Sequence, residues 1–261
     1  MSKIVQICSY MSKSIILAVF SLVVLISGCV AVVHLQDTSD IDTEEDISAA
    51  PKIDFSKPTV ALSFDDGPLR PTAVILDVLE AHDVRATFFM LGRLVEEWED
   101  TVKRAAKNGN EIAGHAWAHH QLSTLSDQAI KDSILSTSAV IEKVTGVPRP
   151  LFFRPPFGDA NRRVANIAAE LGYAIVNWNL DVGDWSLLNA DLIYNAIMRR
   201  VRDKSIILLH DIHPTTAEAV KRIVPALVER GYQFVTVSEM IEHLYGPMQP
   251  GRVYGEPGVR P

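Results

Sequence analysis

Two adjacent carboxylates, Asp65 and Asp66, stand in the run Ser63-Phe64-Asp65-Asp66-Gly67, directly before Pro68. Neighbouring side chains of a regular strand point to opposite faces. The pair can therefore serve one site only where a strand ends and the chain bends, and Gly67-Pro68 suits such a bend. Two carboxylates sharing one cavity can divide labour, one binding a cation and the other staying free as a general base. A lone Asp-Asp-Gly is more often a solvated turn or a helix cap, so the chemical reading depends on what else can reach it.

His115-Ala116-Trp117-Ala118-His119 places two imidazoles four residues apart, so one turn of helix or a tight loop points both the same way. A metalloprotease would need Glu where Ala116 stands. With Asp66 the histidines make a His-His-carboxylate set, suited to zinc with positions left for water and substrate. Both cysteines, Cys8 and Cys29, precede residue 30, so the rest of the chain has no thiol for a disulfide, a Cys-zinc site or a nucleophile. No Gly-x-Ser-x-Gly occurs, which argues against a serine hydrolase of acetyl esters. His34, His82 and His243 fall in the N-terminal segment or on expected helices and are assigned to the surface. His120 and His213 lie nearer the other polar residues, with no role beyond a rim.

The elements that must position these residues follow from periodicity. Strands are expected from Thr59 to Asp65, Arg85 to Met90, Glu111 to His115, Leu151 to Arg154, Tyr173 to Trp178, Ser205 to His210 and Phe234 to Val237. Helices are expected near Pro71 to Ala81, Leu94 to Lys107, Ser126 to Thr145, Arg162 to Leu171, Asn189 to Val201 and Thr215 to Arg230, with a short one after Ser238. Thr215 with Glu218 has capping-box spacing, and Gly109, Gly146, Gly172 and Gly231 stand where helices should stop. Seven βα repeats imply an α/β fold with a parallel sheet, closed or nearly closed as a barrel like a TIM barrel. In such a fold the active site lies at the carboxyl ends of the strands. Asp65 and Asp66 end the first strand, His115 and His119 the third, Arg154 the fourth, Asp181 and Asp184 the fifth, and His210 the sixth.

The N-terminal region has a different character. Lys13 is followed by an apolar run from Ile15 to Ile26 that ends in Ile26-Ser27-Gly28-Cys29, so residues 1–29 read as a targeting signal. That ending resembles a bacterial lipobox, in which the signal is cut before Cys29 and its sulfur carries a lipid. The alternative is an uncleaved membrane helix, since Ile15 to Leu35 is long enough to span a bilayer. Met11-Ser12-Lys13 repeats Met1-Ser2-Lys3, and a start at Met11 would give a signal of more usual length. Residues 30–58 read as a flexible acidic tether, with seven Asp or Glu against two Lys between Gln36 and Pro58. Residues 59–245 form the expected catalytic domain, and 246–261 a Gly- and Pro-rich, irregular tail. The whole chain carries a formal net charge of −7 without a basic run, which argues against nucleic acid as a partner. A membrane anchor at the N-terminus puts the domain in the bacterial cell envelope, outside the cytoplasm.

Five motifs, in order, resemble those of the polysaccharide deacetylases of the NodB-homology type, carbohydrate esterase family four. They are Ser63 to Gly67, His115 to His119, Arg154-Pro155-Pro156-Phe157-Gly158, Asp181-Val182-Gly183-Asp184-Trp185 and Leu208-Leu209-His210, and the resemblance spans nearly all of residues 58 to 245. It implies an irregular (β/α)7 barrel and a divalent metal, zinc first, held by Asp66, His115 and His119. It further implies Asp65 as general base, Arg154 as its partner, His210 as general acid and Asp184 as the group orienting His210. Trp185 and Leu208 resemble the walls of an acetyl pocket, and Phe157 lends its backbone N–H to the oxyanion. The reaction implied is metal-assisted hydrolysis of an acetamide on an acetylated polysaccharide. The N-terminal anchor, which keeps the domain near the membrane, and the retained His210 with Asp184 favour an N-acetylglucosamine polymer of the envelope such as peptidoglycan, chitooligosaccharide or poly-N-acetylglucosamine. The alternatives are an O-acetyl esterase of acetylated xylan and an anchored glycan-binding protein without catalysis. Ala116 replaces the family's usual Ser or Thr, so the loop between the histidines is expected to be held less rigidly. Ser63 replaces a common Thr, Phe157 a common Tyr, and His120 a frequent Pro.

Overall fold

A computed structural model describes residues 53–255. The signal, Cys29, the candidate span from Ile15 to Leu35, most of the tether and residues 256–261 lie outside those described. No helix among the described residues is long and apolar enough to cross a membrane.

Strand and helix alternate. The first half runs β1 (Thr59–Asp65), α1 (Arg70–Ala81), β2 (Thr87–Met90), α2 (Gly92–Val95), α3 (Glu99–Lys107), β3 (Glu111–Gly114), α4 (Asp127–Thr145) and β4 (Phe152–Phe153). The second half runs α5 (Arg162–Glu170), β5 (Ala174–Val176), β6 (Leu180–Asp181), α6 (Asp184–Leu187), α7 (Ala190–Arg200), β7 (Ser205–His210), α8 (Pro214–Glu229), β8 (Gln233–Phe234), α9 (Val237–Tyr245) and β9 (Val253–Tyr254). Every pairing is parallel, in the order β6-β7-β1-β2-β3-β4-β5-β9, with β8 also on β1. The sheet curls into the irregular barrel expected from the βα repeats.

β1 is buried along its whole length, so its two faces divide the core. Val60, Leu62 and Phe64 pack outward with residues of α1, α7 and α8. Ala61 faces the barrel interior with Phe89, Ala113, Phe152, Val176 and Ile206. Ser63 and Asp65 share the parity of Ala61, so the inward face turns from apolar to polar toward the strand end. The register aligns Asp65 with Phe89 on one side and His210 on the other, and Gly114 with Phe153. Because the strands are parallel, the ends that carry the polar residues gather at one rim.

Several boundaries differ from the sequence expectation. The helix expected from Leu94 to Lys107 is two, broken where Trp98 takes φ −114°, ψ 34°. The Thr215–Glu218 capping box does not form. His213 takes the N-cap position of α8 without a side-chain cap hydrogen bond, Pro214 takes its first turn, and the Thr215 hydroxyl is buried without a partner. The capping box in this region joins Thr236 and Glu239 at α9, which cuts short the strand expected to reach Val237. Gly146 does end α4 in the left-handed conformation, which a residue without Cβ adopts at no steric cost.

The expectation of an irregular tail is corrected for the described residues up to 255. Val253–Tyr254 extends the sheet as β9 beside β5, and the Tyr254 carbonyl accepts from Asn177 N–H at 2.8 Å. Tyr254 is buried among the interior apolar residues, and its hydroxyl accepts from Gln249 N–H at 2.9 Å. A two-residue strand has too short an alternation to be read from sequence, and here burial of one aromatic ring decides it. Tyr254→Ala should destabilise the fold by about 3–5 kcal/mol, the cost of deleting a large buried aromatic. Urea unfolding checks this, and a loss below about 1 kcal/mol would show that β9 adds nothing to the barrel.

Candidate active site

Arg154, one residue beyond β4, is the largest fully buried side chain among the described residues. Four of its five N–H donors are used. Nη1 donates to Asp65 Oδ1 at 2.7 Å and Ser63 Oγ at 2.9 Å, Nε to Val176 O at 3.0 Å and Nη2 to Asn177 O at 2.7 Å. The Phe89 ring lies 4.0 Å from its Cζ, so the apolar floor of the barrel also meets the cation favourably. Burial pulls the Arg154 pKa down, opposed by the charge of Asp65. Breaking one side of such a buried pair costs about 3–5 kcal/mol, so the contact is a strong constraint on Asp65. Ser63, which stands where the resembled family commonly has Thr, bridges the arginine to β7 by donating to Ile207 O at 2.8 Å.

Asp66 leaves β1 in the left-handed conformation, φ 79°, and this turn lets adjacent carboxylates serve one site. Its Oδ1 lies 3.4 Å from Nε2 of His115 and 3.4 Å from Nε2 of His119. Asp66, His115 and His119 are the one group of metal-ligating type among the described residues, with ligand atoms within 4.8 Å of one another. His115 Nδ1–H donates to the Arg154 carbonyl at 2.8 Å, which fixes the tautomer and leaves a lone pair on Nε2. Asp66 Oδ1 is buried with no hydrogen-bond donor. Lone pairs facing one another across 3.4 Å are unfavourable unless a cation lies among them, so these residues fit a divalent metal. Burial works against the Asp66 charge, but the neighbouring imidazoles hold its carboxyl below the usual range. Burial also pulls the His119 pKa down, toward the neutral form that ligates metals.

The loop between the histidines is held without the hydroxyl that Ala116 lacks. Gly92 N–H donates to Ala116 O at 3.0 Å, Arg93 N–H to Trp117 O at 3.1 Å, and Trp117 N–H to Ser133 Oγ at 2.8 Å. These bonds to α2 and α4 meet the expected looseness with a different set of ties.

At the end of β7, His210 Nδ1 pairs with Asp184 Oδ1 at 2.8 Å. The other Asp184 oxygen accepts from His210 N–H at 2.8 Å and Thr216 Oγ1 at 2.7 Å. Burial works against the His210 charge, but the Asp184 carboxylate outweighs it and pushes the pKa up to about 9. Two imidazoles in one site are thus driven apart, His119 toward neutral and His210 toward charged.

The remaining sequence candidates are more dispersed. Phe157, at φ 62° and 66% exposed, meets the His119 ring edge-on at 4.4 Å between centroids. Leu208 is buried and shares the face of β7 with His210. Trp185 is 56% exposed and follows Asp184 on α6. Asp181 accepts from Gly183 N–H at 2.7 Å, tightening the turn before Asp184.

Three residues escaped the sequence reading: Thr216, Thr72 and Asp211. Thr216 was hidden by the wrong cap assignment at α8. Asp211 is 1% exposed and accepts from Gly67 N–H at 3.0 Å and Thr72 Oγ1 at 2.6 Å, and burial pushes its carboxyl up to about 7. An acid directly after a strand-end histidine was the available signal.

Residues 52–176 match the family model described as polysaccharide deacetylase. The peptidoglycan-N-acetylglucosamine deacetylase PgdA of Listeria monocytogenes is 38% identical over 210 residues, which is 80% of this chain and 43% of that protein. This chain thus spans less than half of that relative's length. A peptidoglycan-N-acetylglucosamine deacetylase of Bacillus cereus is 38% identical over 191 residues, covering 70% of this chain and 88% of its own length. Among solved structures, a family 4 acetyl xylan esterase from Clostridium thermocellum in complex with a cobalt ion has a TM-score of 0.70 and 36% identity, over 77% of this chain and 100% of that one. On these similarities, and on a parallel barrel carrying all five motifs at one rim, the chain belongs to the polysaccharide deacetylase family, the NodB-homology group of carbohydrate esterase family four.

Proposed function

We propose that this chain is a metal-dependent hydrolase that removes N-acetyl groups from an N-acetylglucosamine-containing polysaccharide of the bacterial cell envelope. The observation that carries this reading is the meeting of three held groups at one rim: Asp65 on Arg154, Asp66 with two histidines, and His210 on Asp184. A divalent cation held by Asp66, His115 and His119, zinc by the chemistry of the donors, would supply Lewis acidity that makes water a better nucleophile and an acetyl carbonyl a better electrophile.

The chain's own residues do the rest. Arg154 holds Asp65 Oδ1, which leaves Oδ2 to accept a proton as water attacks the acetyl carbon. The Phe157 N–H faces the charge that develops on the carbonyl oxygen. When the C–N bond breaks, the nitrogen leaves badly as an anion and needs a proton. His210 gives it from Nε2, because Asp184 occupies Nδ1. With a pKa of about 9, His210 carries that proton at neutral pH. Trp185 and Leu208 wall the acetyl group.

The names of the two peptidoglycan deacetylase relatives support N-acetylglucosamine as the substrate sugar. The similarity to an acetyl xylan esterase favours O-deacetylation of xylan as the second reading. We also assign the chain to the outer side of a bacterial membrane, with Cys29 lipid-modified. A tether of the length and polar composition of residues 30–58 has a reach of only about 30 Å, which keeps the rim close to envelope glycans.

Chelation should abolish acetate release and one equivalent of zinc restore it. Asp65→Asn and His210→Ala should each lose about 100-fold or more in kcat with metal retained. On the alkaline side kcat should hold to about pH 9 and fall beyond it, as the proton of His210 is lost. Asp184→Asn should move that limb toward the ordinary histidine range. Full activity of metal-free protein, or near-normal turnover by Asp65→Asn, would sink the mechanism. At matched acetyl concentration, N-acetylated glycan chains should be hydrolysed faster than acetylated xylan, and a tenfold preference for xylan would select the second reading. Cys29→Ala should abolish fatty-acid labelling, whereas an unmodified Cys29 within an intact signal would select the membrane-helix alternative.

A further inference from the structure

We infer that Asp211 is a positioning residue that sets the direction in which Asp66 leaves β1, and thereby how tightly Asp66, His115 and His119 hold a divalent cation. The inference rests on the metal reading of that set. Asp65 pairs with His210 across the β1–β7 ladder, so Asp66 and Asp211 are the next residues of two adjacent strands, both beyond the last paired position. Asp66 turns away through its left-handed backbone. Nothing in the Asp66 side chain holds that turn, because its buried oxygen has no donor. The turn is held one residue later, where Gly67 N–H donates to Asp211 Oδ1 at 3.0 Å and the Gly67 carbonyl accepts from Leu91 N–H at 2.9 Å.

The far side of the carboxylate is gripped as firmly. Thr72, in the first turn of α1, donates its hydroxyl to Asp211 Oδ2 at 2.6 Å and accepts from Leu69 N–H at 2.9 Å. One buried carboxylate therefore ties the turn after β1, the start of α1 and the end of β7 together. The approach is so close that a Cβ on Gly67 would stand 2.2 Å from Asp211 Oδ2, which explains glycine at a position whose φ does not require it. Asp211 lies too deep, at 1% exposure, to meet substrate, so its effect passes through the backbone of the ligand-bearing turn.

The experiment compares full-length wild type with Asp211→Ala, Asp211→Asn and Thr72→Val, measuring zinc affinity by competition with a chromophoric chelator, the visible spectrum with cobalt(II), and thermal melting. Asp211→Ala leaves the Gly67 N–H without its acceptor and should bind zinc about tenfold or more weaker, with an altered cobalt spectrum, as for other groups that orient a ligand. Asp211→Asn keeps an oxygen for Gly67 N–H and an amide for the Thr72 oxygen, and should stay within about threefold of wild type. Thr72→Val should weaken zinc in the same direction as Asp211→Ala, and it carries the test where that variant does not fold. Wild-type zinc affinity in folded Asp211→Ala, or in Thr72→Val where the alanine variant is unfolded, would overturn the inference. A wild-type chain that binds neither zinc nor cobalt would instead overturn the metal reading, and this inference with it.

Discussion

The site depends on a guanidinium buried inside a barrel. Removing the Arg154 charge from water costs several kcal/mol, which only directional partners can offset. Asp65, the Ser63 hydroxyl and the carbonyls of Val176 and Asn177 provide them. A planar fork of donors accepts few arrangements, so the ends of β1 and β5 are fixed relative to one another. Through its own carbonyl the same residue orients His115. The small inward residues of β1, Ala61 and Ser63, leave the interior room for this side chain, and the Phe89 ring lies against it.

A second pattern surrounds the end of β7. Two buried acids, Asp184 and Asp211, stand on either side of the chain at His210, and each receives a threonine hydroxyl from the first turn of a helix and one backbone N–H. Asp184 holds the histidine itself, while Asp211 holds the neighbouring strand's turn. The helices that supply the threonines, α8 and α1, both pack against the outward face of β1, so the polar rim is anchored in the main apolar core. By contrast Phe157 and Trp185 are exposed at the rim and have no part in this buried network.

The last described strand, β9, is tied to the buried arginine through one residue, Asn177. The carbonyl of Asn177 accepts from Arg154, while the N–H of the same residue donates to Tyr254. The segment that composition marked as a loose tail therefore supports the residue that places Asp65. This division of labour follows from backbone hydrogen bonding, which every buried peptide group must complete.

Legible in the sequence were the alternation of strand and helix, the parallel sheet, and the position of Asp65, Asp66, His115, Arg154 and His210 at or just past strand ends; Asp184, expected at the end of the fifth strand, instead opens α6 after the separate strand β6, and His119 stands in the loop beyond β3. Apolar runs of distinct period and glycines at helix stops are local, so they survive reading one residue at a time. What only the tertiary structure decided were the contacts that need register: Asp211 beside Gly67, Thr216 on Asp184, Ser63 between Arg154 and Ile207, and β9 beside β5. The misread cap of α8 has the same origin. Thr215 and Glu218 had cap spacing, but Pro214 could take the first turn and His213 the N-cap position, while the adjacent Thr216 found the buried acid at the start of α6. Such partners lie far apart in the sequence, and their pairing is settled by which strand end lies beside which, a property of the curled sheet that no local pattern contains.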